Sequence, residues 1–164
     1  RRLAMVFHNK NSPARDIISM EHSEKRRIFC DCDDTLILFD SEAETSPLGF
    51  WRGDAYRVND ALVDALRLAC RACFTLIVWS GGGSKYAKAV SDAAFGGDLG
   101  EVDAWFDKGR PTFGLVREGD IVIDDQTLAV GCEQLAPHDV ERLRGLLHDN
   151  EGMDTGSVKE EKHV

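Results

Sequence analysis

The chemistry available to this chain is concentrated in Asp31, Asp33 and Asp34, three carboxylates within four residues that follow the apolar run Ile28-Phe29-Cys30. Carboxylates packed so closely repel one another, so a positive charge is expected among them. A hard cation such as Mg²⁺, which takes oxygen ligands and keeps several waters, meets that need. If Ile28 to Cys32 forms a buried parallel strand, the acids lie at its carboxyl end, where open α/β sheets place their ligands. Along an extended chain Asp31 and Asp33 share one side, so one can hold a metal and attack a substrate while the other handles protons. The plain alternative is an acidic turn without chemistry, because Asp is common at strand ends and helix caps.

Two more apolar runs end in residues with chemical use. Phe74-Thr75-Leu76-Ile77-Val78-Trp79 stops at Ser80-Gly81-Gly82-Gly83. A hydroxyl and open backbone N–H groups at a strand end can bind a phosphoryl oxygen, and glycines let the backbone come close. Ile121-Val122-Ile123 stops at the acid pair Asp124-Asp125. Between these two runs stands Lys108, with Arg110 and Lys85 as rival cations to offset the acids.

Taken in order, Asp31-x-Asp33-x-Thr35-Leu36, the strand ending at Ser80, the later Lys108 and the strand ending at Asp124-Asp125 resemble the four motifs of the haloacid dehalogenase (HAD) superfamily. The resemblance covers roughly residues 28–126. Receiver domains of bacterial signalling use similar residues, but there the acid pair opens the chain and Lys comes last. The resemblance implies a Mg²⁺-dependent phosphohydrolase working through an aspartyl-phosphate on Asp31. It makes Asp33 the general acid and base, its backbone carbonyl a metal ligand, and Ser80 and Lys108 the holders of the phosphoryl group. The second acid, Asp33, favours phosphatase over dehalogenase chemistry. Thr35, Gly81 and Gly82 fall beside the substrate, and at least one of Asp124 and Asp125 completes the metal site. A non-catalytic Mg²⁺-binding or partner-binding module on the same scaffold is the competing class.

The elements that must position these residues alternate strand and helix, which predicts an α/β fold: a three-layer Rossmann-like sandwich with a mostly parallel central sheet. Asn59 or Asp60 caps a helix running to about Cys70, with Ala61, Leu62, Ala65, Leu66 and Ala69 at helical spacing. A second helix runs from Lys85 to about Phe95 and is ended by Gly96-Gly97. Val102 to Phe106 reads as a short strand, Thr127 to Ala136 is ambiguous, and Ala136-Pro137-His138-Asp139-Val140 opens a last helix that runs to about His148. Residues 1–27 form a loosely ordered arm, 28–148 the domain, and 149–164 a disordered tail. Residues 37–59 read as a flap or loop in which Phe50, Trp51 and Arg52 are the residues best suited to meet a substrate. Neither this loop nor residues 81–101 has room for a large cap domain, so the site is expected to be rather open, suiting a bulky phosphorylated substrate or partial closure by the loop itself.

With 164 residues and a formal net charge of −9, one acidic domain is expected. That charge argues against a protein that grips nucleic-acid phosphates, leaving nucleic acid a place only as a phosphorylated end. No apolar run reaches membrane-spanning length and no cleavable leader is evident, so a cytoplasmic protein is the expectation. The five cysteines at 30, 32, 70, 73 and 132 have apolar neighbours and read as reduced core thiols. A Cys30-x-Cys32 with Cys70-x-x-Cys73 zinc site is the weaker alternative.

Overall fold

A computed structural model of the chain describes residues 25–39, 56–97 and 99–151. Five parallel strands form one sheet: β1 (Arg27–Cys30), β4 (Thr75–Ser80), β5 (Ala104–Asp107), β6 (Ile121–Ile123) and β7 (Glu133–Leu135), in the order β5-β4-β1-β6-β7. The chain builds outward from β1 to β4 and β5, then returns to the other side of β1 for β6 and β7. The strand order therefore reverses between β1 and β6, and a crevice at such a reversal is where open α/β sheets bind ligands. Two short strands, β2 (Ile37–Phe39) and β3 (Tyr56–Val58), pair antiparallel as a separate hairpin after β1.

Side-chain alternation divides the core. Ile28, Cys30, Leu76, Val78, Ile121 and Ile123 face one side, which packs against α1 (Asp60–Arg71), α2 (Ser84–Ala94) and α4 (Val140–Glu151). Phe29, Ile77, Trp79 and Val122 face the other, covered by the one-turn helix α3 (Arg110–Phe113) and by Val116, Leu128 and Val130. The Trp79 ring lies 5.0 Å from Phe29 and 5.7 Å from Phe113, so this thinner layer is built largely on aromatic contacts. The fold is thus α/β, Rossmann-like and three-layered. No large cap is evident among the described residues.

The expected helices form where their apolar faces demanded it. Asn59 caps α1, its side chain accepting from the Leu62 N–H, and it also donates to the Thr35 carbonyl at 3.0 Å. That second bond ties the hairpin's root to the first turn after β1. α2 ends at Ala94, and Gly96 and Gly97 follow with φ of 70° and 78°, a backbone that side chains other than glycine's adopt only with strain.

Several boundaries differ from expectation. β5 starts at Ala104 rather than Val102: the exposed Asp103 accepts from the Leu76 N–H with its carboxylate, where a strand would use a carbonyl, and its own N–H donates to the Leu76 carbonyl, both at 2.8 Å. β7 falls in the ambiguous stretch; only Leu135 of its three residues is buried, so no apolar run marked it. β1 begins at Arg27 and α4 continues to Glu151, each slightly beyond the expected domain limits, and α4 starts only at Val140 because residues 136–139 form a turn in which Ala136 and Asp139 bond each other. The N-terminal arm up to residue 24, the loop 40–55 with Phe50, Trp51 and Arg52, and the tail from 152 lie outside the described residues. All five cysteines are free, and burial pushes the Cys30 and Cys32 thiols well above their ordinary range, which keeps them protonated.

Candidate active site at the strand ends

Register sets the site. β1 pairs with β6 so that Cys30 lies beside Ile123, and the next residues, Asp31 and Asp124, emerge level with each other at the carboxyl ends. The Asp31 N–H donates to the Ile123 carbonyl at 2.9 Å, fixing the two turns together. Both acids are buried, while Asp125 is exposed beside them.

Lys108 closes the group from the far side of β4. Ser80, the last residue of β4, pairs with Asp107, and its carbonyl accepts from the Lys108 N–H at 2.8 Å. So anchored, the Lys108 ammonium reaches Asp31 at 2.8 Å and Asp124 at 3.1 Å. Its rivals Lys85 and Arg110 are exposed on α2 and at the start of α3, and among the described residues only Lys108 forms an ion pair with Asp31 and Asp124.

The electrostatics follow from burial and crowding. Loss of hydration raises the Asp31 carboxyl to about 7; the Lys108 hydrogen bond opposes the rise, while the Asp124 charge adds to it. Burial raises Asp124 as well, against the pull of the Gln126 N–H and of Lys108. Burial works to lower the Lys108 ammonium, but the Asp31 hydrogen bond and the charges of both acids outweigh it and hold the group above its ordinary value. One cation thus faces three carboxylates whose oxygens lie within 4.8 Å of one another. Asp31, Asp124 and Asp125 offer only oxygen donors and leave negative charge uncompensated, so the set fits a hard divalent cation.

A cavity of about 320 Å³ opens beside this group, lined by Asp31, Asp33, Ser80, Gly81, Gly82, Lys108, Asp125 and Gln126. Ser80 is buried, and its hydroxyl accepts from the Gly82 N–H at 3.0 Å, folding the glycine turn toward the acids. The first N–H of α2, that of Ser84, is taken by the Asp107 carboxylate, so that helix end has a protein acid of its own. Asp33 lies on the cavity wall outside the acid cluster, its carboxylate accepting from the Tyr86 hydroxyl. Thr35 is fully buried, absent from the cavity wall, and its Oγ1 has no hydrogen-bond partner among the described residues.

The structure therefore brings Asp31, Asp33, Ser80, Gly81, Gly82, Lys108 and Asp125 to one cavity, with Asp124 joined through Lys108 and the acid cluster. Trp51 and Arg52 fall outside the described residues. Sequence reasoning passed over Tyr86 and Gln126. Gln126 directly follows the acid pair, and its N–H holds Asp124 at 3.0 Å, so adjacency was its only signal. Searches of the chain against protein-family models, curated proteins and solved structures found no match in any of the three.

Proposed function

We propose that this protein is a HAD-like phosphohydrolase that cleaves phosphate monoesters through a covalent aspartyl-phosphate. The observation that carries this reading is the placing of Asp31, Lys108 and Asp124 in one ion-paired group at the point where the strand order reverses. Acid, cation and acid held level by strand register suit in-line attack on an anionic phosphorus centre.

In this mechanism the substrate phosphoryl group enters the 320 Å³ cavity between Asp31 and the Ser80–Gly82 turn. A carboxylate oxygen of Asp31 attacks phosphorus, an Asp31–phosphorus bond forms, and the ester oxygen leaves with the electrons of the broken bond. Asp33 supplies the proton that oxygen needs, then takes one from the water that attacks the phosphoaspartate. The second attack breaks the Asp31–phosphorus bond and releases inorganic phosphate, returning both acids to their starting states. Ser80 and the Lys108 ammonium hold the phosphoryl oxygens throughout. Asp31, Asp124 and Asp125, with the Asp33 backbone carbonyl, would hold Mg²⁺, which offsets negative charge between nucleophile and phosphate when bound.

Release of phosphate from 4-nitrophenyl phosphate, with Mg²⁺ and with chelator, tests the reading. Turnover should require Mg²⁺ and should fall at least about a thousandfold in Asp31→Asn, which keeps the shape but loses the attacking charge. Cation binding without turnover would favour the non-catalytic module instead.

A further inference from the structure

We propose that a second groove beside the phosphoryl cavity is the leaving-group subsite, and that it selects phosphate esters of uncharged, predominantly apolar alcohols or phenols. This deepens, and rests on, the phosphohydrolase reading above.

The groove holds about 620 Å³, nearly twice the phosphoryl cavity. The two are continuous in their walls: Asp125 lines both, and of the adjacent residues Asp33 and Asp34, the first lines the cavity and the second the groove. A proton delivered by Asp33 to the leaving oxygen is therefore delivered at the groove's edge. The walls are mostly apolar, with Leu38 from β2, Ala61 from the first turn of α1, Pro137 from the β7–α4 connection and Val140 from the start of α4. An aryl or alkyl body would bury apolar surface there, which is the ordinary source of affinity in such sites.

Charge then narrows the class. Asp34, Asp125 and Glu141 line the groove, and Arg144 is already engaged by Glu141 at 2.6 Å. Even with Asp125 given to the metal, the carboxylates of Asp34 and Glu141 outnumber the Arg144 guanidinium, and His138 on the same wall adds a positive charge only when protonated. A leaving group with its own carboxylate or second phosphate meets net repulsion, whereas a neutral one does not.

The test compares three substrates on the full chain with Mg²⁺: acetyl phosphate, 2-naphthyl phosphate and 6-carboxy-2-naphthyl phosphate. The wild type should prefer the neutral naphthyl ester over the carboxylated one by about tenfold in kcat/KM. Ala61→Trp, at an exposed helix position, should cost the naphthyl ester about tenfold and leave acetyl phosphate within about twofold. Glu141→Gln should narrow the gap between the two naphthyl esters. Equal use of both esters by the wild type, or an Ala61→Trp that hydrolyses 2-naphthyl phosphate unimpaired, overturns the subsite while acetyl phosphate turnover keeps the phosphohydrolase reading standing. Absence of turnover on all three substrates overturns both.

Discussion

At the amino end of the sheet, Arg27 of β1 forks onto Asp120 just before β6, with contacts of 3.1 and 2.6 Å. The Arg117 N–H adds a third bond to the same carboxylate at 2.7 Å. At the carboxyl end of the same two strands, Lys108 meets Asp31 and Asp124, and Asp125 stands beside them. One end holds a buried acid matched by a planar, bidentate cation and a backbone donor, so the charges are spent on each other. The other holds three acids against one ammonium, in a cavity open to solvent. The first arrangement suits a structural clasp; the second keeps charge in reserve for a ligand.

The largest effect expected from this contrast lies in turnover. Lys108→Ala should reduce phosphate release about a hundredfold, because it removes the cation that sits between Asp31 and Asp124. Lys85→Ala and Arg110→Ala, each at an exposed position, should change it little. Arg27→Ala should leave turnover per folded molecule near wild type. A reversed ranking in steady-state assays would reassign the working cation and break the contrast between the two ends.

Stability should invert the contrast. Arg27→Ala leaves Asp120 buried without its cation and should cost about 3 kcal/mol in urea unfolding. Asp31→Asn should do the opposite in metal-free protein at alkaline pH. The folded Asp31 value of about 7 lies above the ordinary 3.8, so its stabilising contribution is complete below pH 3.8 and is lost as pH rises through 7. Removing the charge should therefore gain about 1–3 kcal/mol at pH 8 and progressively less toward pH 5, Lys108 keeping the gain below the full shift. Mg²⁺ should stabilise the wild type and not this variant. A gain of equal size at pH 5 and pH 8 would show that the Asp31 charge is not its source.

How much of this was legible in the sequence follows from where each signal is written. β1, β4 and β6 are contiguous apolar runs that stop at chemically useful residues, so strand and site were visible together. β7 was hidden because Glu133 and Gln134 are only partly buried at the sheet's edge, and α3 because four residues carry no period. Lys108 could be ranked against Arg110 and Lys85 but not selected, since its place depends on the Ser80 carbonyl holding its backbone across β4 and β5. The Arg27–Asp120 clasp joins residues 93 apart, and neither has a local pattern that names the other. Tyr86 was hidden for a related reason. The expected face of α2 was Ala87, Val90 and Ala94, and Tyr86, four residues before Val90, shares it; its burial follows from helical spacing, but its bond to Asp33, 53 residues away, has no local signal.

Tyr86 also sharpens the contrast within the carboxyl end itself, with the smallest effect. Asp31 and Asp124 face a cation, whereas Asp33 receives a neutral hydroxyl from Tyr86. A neutral donor orients the carboxylate without adding a charge that would compete with the leaving oxygen for it, which suits a proton carrier. The ring is held in place by close packing: a Cβ on Gly82 would come within 2.9 Å of Tyr86 Cδ1. Tyr86→Phe keeps that ring and removes only the hydroxyl, so kcat should fall by about three- to tenfold for esters with poor leaving groups. For 4-nitrophenyl phosphate, whose phenolate leaves with little protonation, the loss should be smaller. Gly82→Ala, which forces the ring to shift, should produce the same dependence on leaving group with a larger loss. Were Tyr86→Phe to lower kcat equally for good and poor leaving groups, in step with a lower Tm, the hydroxyl would be a packing partner of Asp33 and not its guide.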